Sequence, residues 1–166
     1  MGRNSQRRRS ARAMRKIRAT APDLSEISRV RTAKRLRADI ASWMENPSKG
    51  PSGSFIEGEH ASDPAMVFTT LMFWLVAARE QITEDQAREA VEWVSGTLGI
   101  VHDDLVQAAG FIGHPDAPTI TLNEGMEHYG DDPITFVLYM LLLCGGLVAT
   151  VGDGDPDWLR QFDLAN

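Results

Sequence analysis

The run from Pro133 to Val151 is 19 residues long and holds no charged side chain. Such a segment has two physical solutions. It can span a bilayer, for which about 20 apolar residues suffice, or it can be a helix that the rest of a folded domain covers on nearly every side. Three features select the second. Acids flank both ends, with Asp131 and Asp132 before the run and Asp153, Asp155 and Asp157 after it. Gly145-Gly146 interrupts it, and no lysine or arginine stands close to either end to anchor it at a headgroup layer. The chain is therefore expected to stay out of the membrane. A second uncharged run, Ala65 to Ala78, is too short to span and is expected to pack against the first.

Both runs begin after the same signal. Asp63-Pro64 and Asp132-Pro133 place an N-cap carboxylate before a proline suited to the first helical position, and Asp155-Pro156 repeats the pair before WLRQF. Thr83, Glu84, Asp85 and Gln86 open another helix, in which Ala87, Ala90, Val91, Val94 and Leu98 form one apolar stripe and Gly99 supplies the stop. Upstream, Asp23 and Glu26 have capping-box spacing, and Leu24, Ile27, Val30, Leu36, Ile40 and Trp43 recur at mostly three- and four-residue steps. The opposite face of that helix is read as Arg29, Arg31, Lys34, Arg35 and Arg37. A short helix from Asp103 ends before Gly110, and Thr121 and Glu124 cap another that stops near Gly130.

These signals predict helices over about 23–45, 64–79, 84–98, 103–109, 122–129 and 133–150. Pro-, Gly- and Ser-rich residues 46–62 read as a flexible loop, and residues 111–120 as a second loop. No segment alternates with period two between hairpin turns, and no internal repeat is visible. The expected fold class is all-α, an irregular bundle of about six helices. Its core should hold Phe68, Leu71, Met72, Leu75, Val91, Val94, Leu98, Val137, Met140, Leu141 and Cys144.

With 166 residues, 43% of them hydrophobic, the chain has material for one core and not for two. Residues 22–166 are expected to form that single domain. Residues 1–21, with Met14 and Ile17 as their large apolar side chains, are expected to form a flexible arm. The lone cysteine excludes an intrachain disulfide or a cysteine-based zinc site. No stretch near the N-terminus has the form of a secretory signal; its Arg-, Ser- and Ala-rich start also fits an organelle transit peptide, but Met14 and Ile17 give it a poor apolar face, so the expected location is cytoplasmic.

Charge divides the chain in two. Residues 1–37 carry 13 basic residues and two acids, a balance of +11, whereas the remaining 129 carry four basic residues and 21 acids, a balance of −17. The arm supplies Arg3, Arg7, Arg8, Arg9, Arg12, Arg15, Lys16 and Arg18, and the first helix adds Arg29, Arg31, Lys34 and Arg35. Arginine outnumbers lysine 14 to three, and its forked donors suit phosphate. A surface of this kind attracts polyanions through counterion release, or an acidic protein surface, or the acidic half of its own chain. The arm has no aromatic residue, so base stacking is absent and contact with nucleic acid would be non-specific.

Residues with catalytic or metal-binding chemistry give weaker signals. His60, His102, His114 and His128 lack HExxH or any other close ligand spacing, although Glu59-His60, His102-Asp103-Asp104 and Glu127-His128 set acids beside imidazoles. The aspartates of GDGDPDW echo a calcium loop. Trp158 occupies the position of its glycine and Leu164 that of its final glutamate, so a helix-capping turn is the better reading. Neither a phosphate-binding GxxxxGK[ST] loop, a GxGxxG turn nor a GxSxG elbow occurs. Cys144 lies in an apolar run and reads as an inert core thiol. The helix pair around Gly99 could suggest a DNA-reading hairpin, but its second helix, HDDLVQAA, opens on two acids and has no basic residue. No catalytic residue, metal site or cofactor is assigned.

The residues thus point to a non-enzymatic protein associated with nucleic acid or with assembly. Its basic arm would contact a polyanion while the acidic helical domain binds other proteins or itself. Two other readings stay open: a structural or assembly subunit, phage-like for example, whose arm binds an acidic neighbour, and a small enzyme without a recognisable motif.

Overall fold

A computed structural model of the chain describes residues 24–53, 63–100, 102–112, 127 and 133–163. It is an all-α fold. Among the described residues there are five α-helices, two 3-10 helices and no strand. The α-helices are α1 (Leu24–Glu45), α2 (Pro64–Arg79), α3 (Glu84–Leu98), α4 (His102–Ile112) and α5 (Pro133–Thr150). The 3-10 helices are Pro47–Lys49, directly after α1, and Pro156–Phe162 at the C-terminal end. The arm, Asp23, residues 54–62 of the first loop, residues 113–120 of the second and nearly all of the expected 122–129 helix lie outside the described residues.

The caps follow the sequence signals. Asp63 Oδ1 accepts from the Ala65 backbone N–H at 3.1 Å, and Pro64 opens α2. Thr83 and Gln86 form a reciprocal capping box at 3.2 and 2.9 Å, and α3 ends on Gly99 with φ 66°, in the left-handed region that suits glycine. Asp155 Oδ1 accepts from the Asp157 N–H at 2.9 Å, so GDGDPDW is a capping turn, and it starts a seven-residue 3-10 helix. Gly110 does not stop α4, which runs on to Ile112. A single glycine inside a helix costs only about 1 kcal/mol against alanine, and Leu105 and Ala108, both fully buried, hold this helix to the core.

α5 is the hub. It packs most extensively on α3, then on α2 and α4, and α1 reaches it through Trp43. Phe136, Met140, Leu141, Cys144 and Val148 are fully buried along it. Phe68 of α2 meets Phe136 at 5.7 Å between ring centroids. With 18 residues, α5 is about 27 Å long, short of the ~30 Å hydrocarbon layer. Among the described residues no helix is long and apolar enough to cross a membrane. The expected core is buried throughout except at Leu98, which is half-buried: it is the last residue of α3, covered on one side by the Gly50 turn. Ile134 and Leu138, in the first half of α5, are 53% and 36% exposed.

On α1 the stripe is narrower than the spacing suggested. Ala33, Leu36, Ile40 and Trp43 are buried, while Val30 is 49% exposed. Val30 lies six residues from Leu36, which puts it about 120° around the helix from the core direction. Ala33, a small residue, fills the step assigned to Val30. The first part of the 46–62 loop is ordered against the domain: the Pro47–Lys49 turn packs on α1 and α3, and Trp43 Nε1 donates to the Pro47 carbonyl at 2.9 Å.

Candidate polyanion-binding surface

The eight basic residues of the arm, Arg3 to Arg18, lie outside the described residues, so the structure places only the part of the candidate surface carried by α1. There the basic residues separate into three environments. Arg31 and Lys34 are exposed, one turn apart on the side away from Leu36 and Ile40. Arg35 is half-buried on the flank and already engaged in an interaction. Arg29 and Arg37 do not lie on the outer face. Arg29 borders a small groove with Thr70, Phe73 and Trp74, on the α2 side of α1.

Arg37 is removed from the candidate surface altogether. Its Nη1 donates to both carboxylate oxygens of Asp163, at 3.0 and 2.7 Å, with its side chain 11% exposed. Trp74 Nε1 donates to Asp163 Oδ1 at 2.9 Å, and the Arg37 guanidinium carbon lies 5.9 Å from the Trp74 ring centroid. One carboxylate thus collects donors from α1 and α2 and fastens the end of the C-terminal 3-10 helix to both. The sequence offered no signal for this pairing, because Arg37 and Asp163 are 126 residues apart.

The rest of the described surface is acidic. Asp85, Glu89 and Glu92 are exposed on α3, Asp103 and Asp104 on the first turn of α4, and Asp153, Asp155 and Asp157 around the C-terminal turn. Two of the three arginines of this part are paired with acids. Arg88 pairs with Asp85 at 3.1 Å and Arg160 with Asp157 at 2.9 Å, while Arg79 donates to the Ala109 carbonyl at 3.4 Å. A polyanion approaching the solvent side of α3, the first turn of α4 or the C-terminal turn would meet these carboxylates.

The residues with chemistry of their own are accounted for by packing. Cys144 is fully buried, and desolvation pushes its thiol far above the ordinary range, which leaves it protonated and unreactive. Tyr139 is raised by desolvation and then by Asp104, whose Oδ2 accepts from its hydroxyl at 3.5 Å; a phenol so placed stays neutral. Among the described residues no three of His, Cys, Asp and Glu gather to hold a metal ion. His60, His114 and His128 lie outside the described residues.

No protein-family model matches the chain, and no curated protein or solved structure matches it either.

Proposed function

We propose that the chain is a non-enzymatic protein associated with nucleic acid or with assembly, its basic arm and the outer face of α1 contacting a polyanion while the acidic helical domain engages protein. The observation that carries this reading is the division of charge: +11 in residues 1–37 and −17 in the remainder. The exposure of Arg31 and Lys34 on α1 supports it, because it extends the arm's charge onto the domain at the point where the arm joins. Affinity would come from arginine–phosphate contacts and counterion release, with little dependence on base sequence.

The test is a fluorescence-anisotropy titration of full-length chain, and of chain lacking residues 1–21, against unrelated duplex and single-stranded oligonucleotides at several salt concentrations. If all eight arm cations neutralise phosphates, the slope of log K on log salt approaches about −7 for duplex and about −6 for single strands. Truncation should remove most of the binding. A full-length chain that binds neither oligonucleotide at low salt rejects the nucleic-acid contact.

A second reading is favoured by the exposed acids of α3. Asp85, Glu89 and Glu92 form a stripe on its solvent side, and Arg88 on that side is already paired. In that reading the arm binds an acidic protein neighbour as part of an assembly. Salt-sensitive self-association without nucleic-acid binding distinguishes it from the first.

A further inference from the structure

Among α2, α3, α4 and α5 lies an apolar cleft of about 40 Å³, bordered by Leu75, Ala87, Val91, Leu143 and Leu147. Since a site needs roughly 10–15 Å³ to hold one water-sized group, it admits about three such groups. Arg79, the exposed last residue of α2, lines it as well. This arginine differs from the other two of the acidic part of the domain. Arg88 and Arg160 each hold a carboxylate within their own helix, whereas Arg79 is exposed and, among the described residues, pairs with no acid. Its Nη1 donates to the Ala109 carbonyl at 3.4 Å, a long contact that occupies one nitrogen of a guanidinium with five N–H donors.

We propose that this cleft binds a short aliphatic carboxylate, the last three carbons of its tail among Leu75, Val91, Leu143 and Leu147 and its carboxylate on Arg79. The small side chain of Ala87 makes the space, and the walls offer the tail no polar group to desolvate. The charge on Arg79 selects an anion, and its planar fork matches the two oxygens of a carboxylate. An unbranched polar ligand gains nothing from the walls, and a longer chain exceeds the space. The inference is independent of the arm and of what the arm binds.

The probe is 3-methylbutanoate added to the full-length, isotopically labelled chain and followed by methyl NMR. The expected result is saturable binding in the millimolar range, appropriate to so few ligand atoms, with shifts centred on Leu75, Val91, Leu143 and Leu147. Acetate, which has the head without the tail, and 3-methylbutanamide, which has the tail without the charge, should bind at least tenfold more weakly. Arg79→Gln, an exposed substitution that leaves the fold intact, should weaken 3-methylbutanoate roughly tenfold. Ala87→Leu, which fills the cleft, should abolish binding. No saturable shift at the cleft methyls, equal binding of acetate or the amide, or undiminished binding by Arg79→Gln overturns the proposal.

Discussion

The ring of Trp43 lies against the backbone of Gly145, so close that a Cβ at Gly145 would sit 2.6 Å from Trp43 Cε3 and nearer still to Cζ3. On α5 the next residue does the same on another side: a Cβ at Gly146 would fall 2.7 Å from the Ala90 carbonyl oxygen and 2.8 Å from Val94 Cγ2. The glycine pair that interrupts the apolar run is therefore where α1 and α3 come close against the hub. Gly145→Ala and Gly146→Ala should each destabilise the domain by about 3 kcal/mol, the upper part of the range for overpacking, because an indole and a helix backbone cannot move aside cheaply. Gly96 in α3 and Gly110 in α4 have nothing within 4 Å of such an atom. Their alanine variants should gain about 0.5–1 kcal/mol from helix propensity. Urea denaturation of the four variants measures the contrast.

Asp163 should be worth more than a surface acid. Asp163→Ala leaves the Arg37 guanidinium and the Trp74 N–H without their shared acceptor, with Arg37 largely shielded from water. Its loss is expected to cost about 1–3 kcal/mol, below the figure for a fully buried pair because the carboxylate is 25% exposed. A double-mutant cycle with Arg37→Met should return a coupling above about 0.5 kcal/mol. Additivity would show that the Arg37–Asp163 pair does not help to hold the C-terminal 3-10 helix.

Ser95 Oγ is buried with no hydrogen-bond partner among the described residues, inside α3. Ser95→Ala removes an unsatisfied hydroxyl and installs a better helix former, so stability should rise by about 1 kcal/mol. A fall in the denaturation midpoint would mean that the hydroxyl is satisfied in solution.

Cys144 gives the domain an alkaline weakness. Burial raises its folded-state pKa above the ordinary value of 9.0, so above that pH the unfolded chain releases a proton that the folded chain keeps. The folded state then binds more protons, and stability falls as pH rises, by up to about 1.4 kcal/mol per pH unit. Below pH 8 the thiol is neutral in both states and contributes no pH dependence. Comparing wild type with Cys144→Ala by denaturation from pH 7 to 10 isolates this contribution: the two curves should run parallel up to about pH 8.5 and diverge above it.

The fold was legible where chemistry is local. Asp63-Pro64, Thr83 with Gln86, and Gly99 each mark a helix end through groups within a few residues, and the same contacts appear in the structure. The two uncharged runs identified the hub and its neighbour because a helix apolar all round can only be buried. Periodicity failed at Val30, which lies six residues from Leu36 and so about 120° around the helix from the core direction, leaving Ala33 as the buried position between them. Gly110 failed as a stop because tertiary burial of Leu105 and Ala108 outweighs one glycine. The candidate surface was legible as composition only. That Arg37 is withdrawn from it, and that Arg79 lines a cleft, depends on contacts between distant segments, which no local pattern encodes.

The separation of Arg37 from Arg31 and Lys34 yields a test of the proposed surface that does not require deleting the arm. Arg31 and Lys34 are exposed on the outer side of α1, whereas Arg37 is bound to Asp163. If the outer side of α1 continues the arm's contact with a polyanion, Arg31→Gln with Lys34→Gln removes two phosphate contacts. The slope of log K on log salt should then flatten by about 2 for duplex, with the denaturation midpoint nearly unchanged, since both side chains are solvated. Arg37→Met should do the reverse, lowering stability while leaving the salt slope intact. The two variants thus separate loss of binding charge from loss of structure. An unchanged slope in the double variant confines any contact to residues 1–21. A slope that flattens equally in Arg37→Met would mean that Asp163 releases Arg37 when the polyanion binds.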